Sequence, residues 1–140
     1  MVRSIVLQAD ASGGAALFVT LKMPRIARAG LLRRSWDRDG DQSVSATEAS
    51  LGARELAATM MDDVVIEADR QAARCVTTVR SRDADGALDD RPFEIAVLVE
   101  CEPGREWLVY AGARVATTFS VRAEHACVAA TEVTQWLACP

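Results

Sequence analysis

The chain has 140 residues, half of them hydrophobic, which is enough for one domain with a core and too short for two domains of ordinary size. Its 20 acidic and 16 basic residues give a net charge of -4, without the basic excess of a nucleic-acid-binding surface, so we expect no nucleic-acid partner. No apolar run approaches the roughly 18 residues of a membrane span, and residues 1–4 do not open a signal peptide, so we expect no membrane span in this chain.

Two strands are predicted at the start of the chain, over residues 4–10 and 15–22, on either side of a glycine-bearing turn. In the second segment Leu17, Val19 and Leu21 alternate with smaller or polar residues, which is the period of a strand with one buried face. The pattern therefore predicts a β-hairpin.

Two amphipathic helices are predicted next. The first begins at Pro24, and its apolar residues recur at spacings of three and four, at Ile26, Ala29, Leu32 and Trp36. The second has the same period at Ala49, Ala53, Leu56 and Met60. Gly52 should weaken this helix slightly, and Asp62 and Asp63 should end it. Together the segments predict a helix-loop-helix unit.

The loop between these helices concentrates oxygen ligands on a short, curved stretch of backbone. It offers aspartates at alternating positions, one main-chain carbonyl, one serine that can act through a water, and a glutamate that can give two oxygens. The predicted ligands are Asp37, Asp39, Asp41, the carbonyl of Ser43, Ser45 and Glu48. Such a set suits a hard cation.

This loop resembles the calcium-binding loop of the EF-hand family, and the resemblance covers residues 24–61. It implies that Ca²⁺ is the cofactor and that the acidic residues fill loop positions one, three, five and twelve. At position six, where the family has glycine, Gln42 costs on the order of 1 kcal/mol. The alternative is an ordinary acidic surface turn. We favour the metal loop because Val44 occupies the inward-facing eighth position, and Ser45 and Glu48 form a capping box.

Four arginines cluster on the first predicted helix: Arg25, Arg28, Arg33 and Arg34. They could contact an anionic lipid or a partner protein. We favour a solvated face instead, in which the later arginines complement the helix dipole.

The second half of the chain is predicted to be β-structure. Segments rich in Val, Ile and Thr, separated by turn residues, fall at residues 64–68, 74–80, 93–101, 107–110 and 115–122. This pattern predicts a sandwich of short antiparallel strands.

The connector at residues 83–94 is also acidic and could be proposed as a second calcium loop. We reject this reading because Leu88 and Asp90 stand where glycine and an apolar residue belong, and Pro92 would disrupt the exit from the loop. We interpret the connector as a long hairpin loop.

The four cysteines have no C-x-x-C spacing, so we favour disulfides over a zinc site. If Val79 pairs with Val97 across the hairpin, then Cys75 lies opposite Cys101 on the same face. The sequence therefore predicts that Cys75 and Cys101 are neighbours.

Cys127 and Cys139 are the two remaining cysteines, so we predict that they form a second disulfide. The segment between them fits either a helix or two strands, and we favour strands because the surrounding sequence is β-rich. Disulfides place the protein outside the cytosol, and we then expect its natural signal peptide to be missing from this sequence.

Catalytic chemistry finds little support in the sequence. The single histidine, His125, has no serine elbow, metal motif or nucleophilic cysteine pattern around it, so we expect a structural or surface role. The 3 tryptophans are not clustered and suit the core better than a ligand platform. We therefore expect that the chain is not an enzyme.

A second resemblance concerns the whole plan of the chain. A β-rich extracytoplasmic region with an EF-hand-like loop near its start and a Cys-Pro near its end, here Cys139 and Pro140, is similar to the N-terminal domain of some bacterial membrane proteins. These are the hydrogenase/urease-accessory proteins of the HupE/UreJ-like class. The resemblance implies a native chain that continues into membrane spans.

The predicted fold is α+β and forms one domain over residues 1–140: an antiparallel immunoglobulin-like β-sandwich with one EF-hand helix-loop-helix inserted at residues 24–61. The apolar faces of the two predicted helices, together with Val44, must be buried away from water. We expect them to pack on the β-sheet of the same chain rather than on a second copy of it.

The predicted function is a calcium-binding module in the periplasm or outside the cell. Calcium should be mainly structural there, since a single hand has no partner hand to transmit an opening. The alternative is a protein-interaction or ligand-recognition ectodomain of a bacterial membrane protein, locked by calcium. The sequence leaves the oligomeric state open.

Overall fold

The computed structural model describes residues 1–10, 12–123, 127–131 and 135–136. Their elements, in chain order, are β1 (Val2–Ala9), β2 (Ala15–Met23), α1 (Ala27–Trp36), β3 (Ser43–Val44), α2 (Ala46–Met61), β4 (Val64–Ala68), β5 (Gln71–Ala72), β6 (Cys75–Arg82), β7 (Gly86–Ala87), β8 (Phe93–Cys101), β9 (Glu106–Ala111), β10 (Ala116–Ala123), β11 (Cys127–Thr131) and β12 (Gln135–Trp136). The described residues are mostly β-structure with two helices, which agrees with the predicted α+β class. Within them, no helix combines the length and the hydropathy needed to cross a membrane.

The strands form two five-stranded sheets and one short ladder. The first sheet has the order β10-β1-β2-β8-β6, the second has the order β12-β11-β9-β4-β5, and β3 pairs with β7. Both large sheets contribute to one hydrophobic core, which also includes buried residues of α1 and α2. Because α2 packs on β6 and β8, the helix pair lies on the β6 side of the first sheet.

Side-chain alternation creates the buried face of the first sheet. Along β2, Leu17, Val19 and Leu21 are buried, whereas Phe18 and Lys22 are exposed. Successive side chains of a strand point to opposite faces, so the apolar set lies on one side. The predicted hairpin is confirmed, since β1 and β2 pair antiparallel.

The predicted antiparallel arrangement is wrong for two strand pairs. β1 runs parallel to β10, and β9 runs parallel to β11. β10 lies between β9 and β11 in sequence but belongs to the other sheet, so the chain leaves the second sheet and re-enters it in the same direction. Alternation identifies the buried face of a strand but not the direction of its neighbour. The immunoglobulin-like character of the sheets stays a prediction.

The first helix begins later than predicted. Pro24 lies outside it, and α1 starts at Ala27. The reason is that β2 stays paired with β8 as far as Met23, which lies opposite Phe93, so the chain must turn before a helix can begin. Ile26 has an extended backbone and a side chain that is 42% exposed, so it does not join the predicted apolar stripe.

The two helices meet at Gly52 and Trp36. A Cβ atom on Gly52 would lie 2.3 Å from the indole ring of Trp36, so the close approach of the ring requires glycine. The buried ring also contacts Phe93 of β8, with ring centroids 5.3 Å apart. The helix propensity lost at Gly52 is therefore offset by aromatic packing in the core.

The hairpin of β6 and β8 has the predicted register. Val79 pairs with Val97, and Cys75 lies opposite Cys101. These two cysteines form a disulfide at the end of the hairpin that is remote from the 83–92 connection.

The last part of the chain is described incompletely. β11 and β12 are strands, which confirms the preference for strands over a helix where the structure describes this segment. The predicted pairing of Cys127 with Cys139 and the role of His125 lie outside the described residues.

Removal of the disulfide should destabilise the fold. The cross-link spans a sequence separation of 26, for which chain-entropy estimates give about 3.5 kcal/mol. We expect the Cys75→Ser, Cys101→Ser double variant to lose about 3.5 kcal/mol of unfolding free energy in urea denaturation. Peptide mapping of unreduced protein checks the pairing, and an unchanged urea transition would contradict the stabilising role of the bond.

Arg3 is fully buried between the first sheet and the end of α2. Its guanidinium pairs with Asp63 and donates hydrogen bonds to the carbonyls of Met60 and Gly112 and to Thr117 Oγ1. The hydrogen bond from Arg3 lowers the pKa of Asp63, against the opposing effect of desolvation. This network ties β1 to the C-terminal end of α2.

Acid should weaken this network. Because the pKa of Asp63 is lowered in the folded state, its contribution is complete above the unfolded-state pKa of about 3.9 and is lost as the pH falls through the folded-state pKa. We expect Asp63→Asn to cost on the order of 3 kcal/mol at pH 7, since it leaves the buried guanidinium of Arg3 without its ionic partner.

Urea denaturation at several pH values measures this cost relative to wild type. The difference should begin to shrink as the pH falls below the unfolded-state pKa of about 3.9, and it should vanish only below the lowered folded-state pKa, where wild-type Asp63 is also neutral. Asp62→Asn, at the neighbouring half-exposed position, is the control and should cost less. A cost of Asp63→Asn that does not vary with pH would contradict the ionic role.

Candidate metal centre

The predicted ligands lie on the loop between α1 and α2, except Glu48, which lies in the first turn of α2. Asp37, Asp39 and Glu48 each offer a carboxylate oxygen, and these three oxygens lie within 4.8 Å of one another. Glu48 is buried, Asp37 is half-buried and Asp39 is exposed. The fold therefore brings together carboxylates from the start and from the end of the loop.

Two aspartates shape the first part of the loop. Asp37 Oδ1 accepts a hydrogen bond from the N–H of Gly40 at 3.0 Å, and Asp37 Oδ2 accepts one from the N–H of Gln42 at 3.1 Å. Asp39 Oδ1 accepts one from the N–H of Asp41, also at 3.1 Å. Aspartates typically stabilise tight turns in this way, so the backbone curls around the Asp37 carboxylate.

Glu48 joins the two ends of the loop. Its Oε1 accepts the N–H of Arg38 at 2.8 Å and that of Asp39 at 3.3 Å, while its Oε2 accepts the N–H of Ser45 at 2.8 Å. Ser45 Oγ accepts the N–H of Glu48 in return, so the predicted capping box is present. The backbone hydrogen bonds from Ser45 and Arg38 lower the pKa of Glu48, which keeps the carboxylate ionised at neutral pH.

Asp41 lies on the same loop but outside the close carboxylate group. Its side chain accepts the N–H of Ser43 at 2.9 Å. This bond lowers the pKa of Asp41, but desolvation and the charges of Asp39 and Asp37 outweigh it, so the pKa is raised overall. The loop thus carries mutual repulsion between carboxylates.

Gln42 has the left-handed backbone that the sequence predicts for the sixth loop position. Its φ is 67°, and Gly40 has a φ of 73°. Glycine adopts this region freely, whereas a residue with a Cβ atom is strained there by about 1 kcal/mol. The loop therefore stores backbone strain at Gln42.

A second loop, residues 83–92, lies against the acidic loop at Ser43 and Val44. Its strand β7 pairs antiparallel with β3, so that Ser43 lies opposite Ala87 and Val44 opposite Gly86. Ser43 Oγ also donates to the carbonyl of Gly86 at 3.4 Å. The connector is a hairpin loop between β6 and β8, as predicted, but its pairing with the acidic loop was not predicted.

Arg33 holds this second loop, and its predicted place on a solvated face is wrong. The side chain is fully buried, and its guanidinium donates to four carbonyls of the loop: those of Asp83 at 2.6 Å, Ala84 at 3.1 Å, Asp89 at 2.8 Å and Arg91 at 2.7 Å. Desolvation lowers the pKa of Arg33, and Arg91 adds to this, against the opposing charge of Asp89. Burial is tolerated because the hydrogen bonds replace water.

Gly30 allows the same loop to approach α1 closely. A Cβ atom there would lie 2.3 Å from Asp90 Oδ1 and 3.3 Å from the carbonyl oxygen of Asp89. Gly30 and Arg33 are three residues apart and therefore share one face of the helix. A glycine and an arginine three residues apart on a helix are the sequence signal that could have indicated that the backbone of another segment packs on this face of α1.

No family model, characterised protein or solved structure matches this chain.

Relief of the strain at Gln42 should stabilise the protein. We compare Gln42→Gly with Gln42→Ala, because both remove the polar side chain and only alanine retains a Cβ atom. The glycine variant should be more stable by about 1 kcal/mol in urea denaturation without added metal. Equal stability of the two variants would contradict a strained backbone at this position.

Proposed function

We propose that residues 37–48 bind Ca²⁺, with Asp37, Asp39, Asp41, Glu48, the Ser43 carbonyl and a water held by Ser45 as ligands. The observation that carries this proposal is the convergence of oxygens from Asp37, Asp39 and Glu48 within 4.8 Å. A hard divalent cation takes six to eight oxygen ligands and would replace the repulsion between these carboxylates by attraction. The resemblance to the EF-hand family supports the same assignment.

The ligand set favours Ca²⁺ over Mg²⁺. Mg²⁺ demands near-ideal octahedral geometry and keeps several waters, whereas Ca²⁺ accepts a bidentate glutamate and irregular loops. The strained Gln42 makes a tight site unfavourable, so the dissociation constant belongs in the range of extracellular modules, about 10⁻⁴ to 10⁻³ M.

Calcium at this site acts mainly on stability. The loop connects two helices that pack into the core through Trp36, Gly52 and Leu56, so an ion that binds only the folded loop stabilises the whole domain. At a concentration 100 times the dissociation constant, this mass-action effect is about 2.7 kcal/mol. In this proposal the inserted helix-loop-helix stabilises an immunoglobulin-like sandwich when it binds the metal ion.

The disulfide supports a location in an oxidising compartment. Disulfides persist outside the cytosol and are rare within it, and Cys75 and Cys101 form one across β6 and β8. The periplasm or the cell exterior fits this chemistry, as does the resemblance to the HupE/UreJ-like class.

Protein recognition is the second candidate function, and an apolar outer face of the first sheet favours it. Phe18 and Val76 are 45% and 72% exposed there, and Leu98 lies beside Phe18 in the ladder. Exposed apolar residues grouped on one face are typical of interaction sites. In this candidate function calcium locks an ectodomain whose partner binds through the sheet.

A calcium titration by calorimetry tests the metal site. Wild-type protein should bind one Ca²⁺, and Glu48→Gln should weaken binding at least about tenfold because the bidentate charge is lost. The single amide oxygen of glutamine can keep the capping bond to the Ser45 N–H, so the helix start is preserved, but the N–H groups of Arg38 and Asp39 then lose their acceptor.

Glu55→Gln is the matched control for this titration. Glu55 is an exposed residue of α2 that pairs with Arg38, and its replacement should leave the affinity unchanged. If Glu48→Gln titrates like wild type, or if wild type takes up no calcium, the assignment fails.

A further inference from the structure

We infer that Arg33 is a positioning residue for the calcium site and that residues 83–92 form the second half of its framework. In this arrangement the 83–92 loop packs where a second EF-hand would pair. The affinity for Ca²⁺ then depends on the contacts by which Arg33 holds this loop in place. The inference rests on the calcium site proposed above.

The first step is the β3–β7 ladder. Ser43 contributes a main-chain carbonyl to the proposed ligand set, and its backbone position is fixed by pairing with Ala87. Val44, the next residue, is buried at 2% exposure and lies opposite Gly86. A displacement of β7 would therefore move a ligand and uncover an apolar side chain.

The second step is that Arg33 determines where β7 lies. Two of the carbonyls that it binds precede β7 and two follow it, so one guanidinium holds both arms of the loop. The fixed fork of arginine suits several acceptors at once. Within the loop, Arg91 donates to the carbonyls of Asp85 and Ala87, which stiffens the segment around β7.

The third step is that Arg33 also touches the start of the acidic loop. Its own carbonyl accepts the N–H of Asp37 at 3.0 Å. Asp37 is the first proposed ligand. The side chain of Arg33 affects Ser43 indirectly, because it binds the loop whose strand β7 pairs with Ser43. The bond to Asp37 is the last backbone hydrogen bond of α1, so the helix end places the Arg33 side chain, which binds residues 83–92, one turn before the first proposed ligand.

The physical consequence is reciprocal coupling. If the held loop favours the ion-binding arrangement, ion binding must favour the held loop by the same factor. Coupling of this kind typically changes an affinity by about fivefold to 150-fold. The 83–92 loop is then part of the calcium site although it supplies no ligand.

The test compares calcium titrations of Arg33→Lys and Arg34→Lys with wild type. Lysine keeps the positive charge but presents three donors on one nitrogen, which cannot span the four carbonyls. We expect Arg33→Lys to raise the dissociation constant at least about fivefold. Arg34 is the exposed neighbour, and its replacement should leave the constant unchanged.

Melting curves without calcium separate positioning from simple structural support. A purely structural Arg33 would lower the melting temperature of Arg33→Lys and leave its dissociation constant unchanged, measured well below the melting temperature. That result would overturn the inference while leaving the calcium site intact. Absence of binding by wild type would overturn both.

Gly30→Ala provides a second variant if Arg33→Lys does not fold. Alanine favours the helix, yet its Cβ atom would lie 2.3 Å from Asp90 Oδ1 and 3.3 Å from the carbonyl oxygen of Asp89, so the Asp90 side chain must turn away and the loop backbone must shift slightly. We therefore expect a folded protein with weaker calcium binding. A folded Gly30→Ala protein with wild-type affinity would overturn the inference.

Discussion

A buried guanidinium must find acceptors for its five N–H donors, and this requirement fixes much of the present structure. Arg33 has no exposed surface, and four of its donors bind main-chain carbonyls of residues 83–92. The loop must therefore lie on α1, which places β7 beside β3. Its cation also lies 5.3 Å from the ring of Phe93, so the same residue contacts the core.

The acidic loop is consequently held from three sides. Trp36 packs into Gly52 of α2, Glu48 bonds to the N–H groups at the start of the loop, and β7 pairs with β3. These contacts pre-arrange several carboxylates before any cation arrives, which lowers the entropic cost of binding. The backbone strain at Gln42 and the charge repulsion around Asp41 oppose this reduction in the cost of binding. We therefore expect a moderate affinity for the cation.

Local patterns in the sequence predict a large part of this structure. Alternation in β2 identifies its buried face, the period of α2 identifies the buried side of that helix, and the register of β6 with β8 follows from one pairing and places Cys75 opposite Cys101. The capping box and the left-handed Gln42 are also predictable, because both depend on residues within one loop. These features depend on residues that are close together in the sequence or on a single strand pairing.

Features that depend on distant partners escape prediction. The late start of α1 follows from pairing of β2 with β8, and the burial of Arg33 follows from a loop about fifty residues away in sequence, as the separation of 51 from Ala84 shows. The parallel pairs β1 with β10 and β9 with β11 arise from passage of the chain between the sheets. Periodicity contains no information on any of these contacts.

The central claim, that the acidic loop and residues 83–92 act as one unit around a cation, is tested most directly by amide hydrogen exchange with and without Ca²⁺. The account predicts slower exchange on calcium addition in residues 37–48 and also in residues 83–92, including β7. Slower exchange confined to residues 37–48 would contradict it, because the ion would then bind without engaging the loop that Arg33 holds.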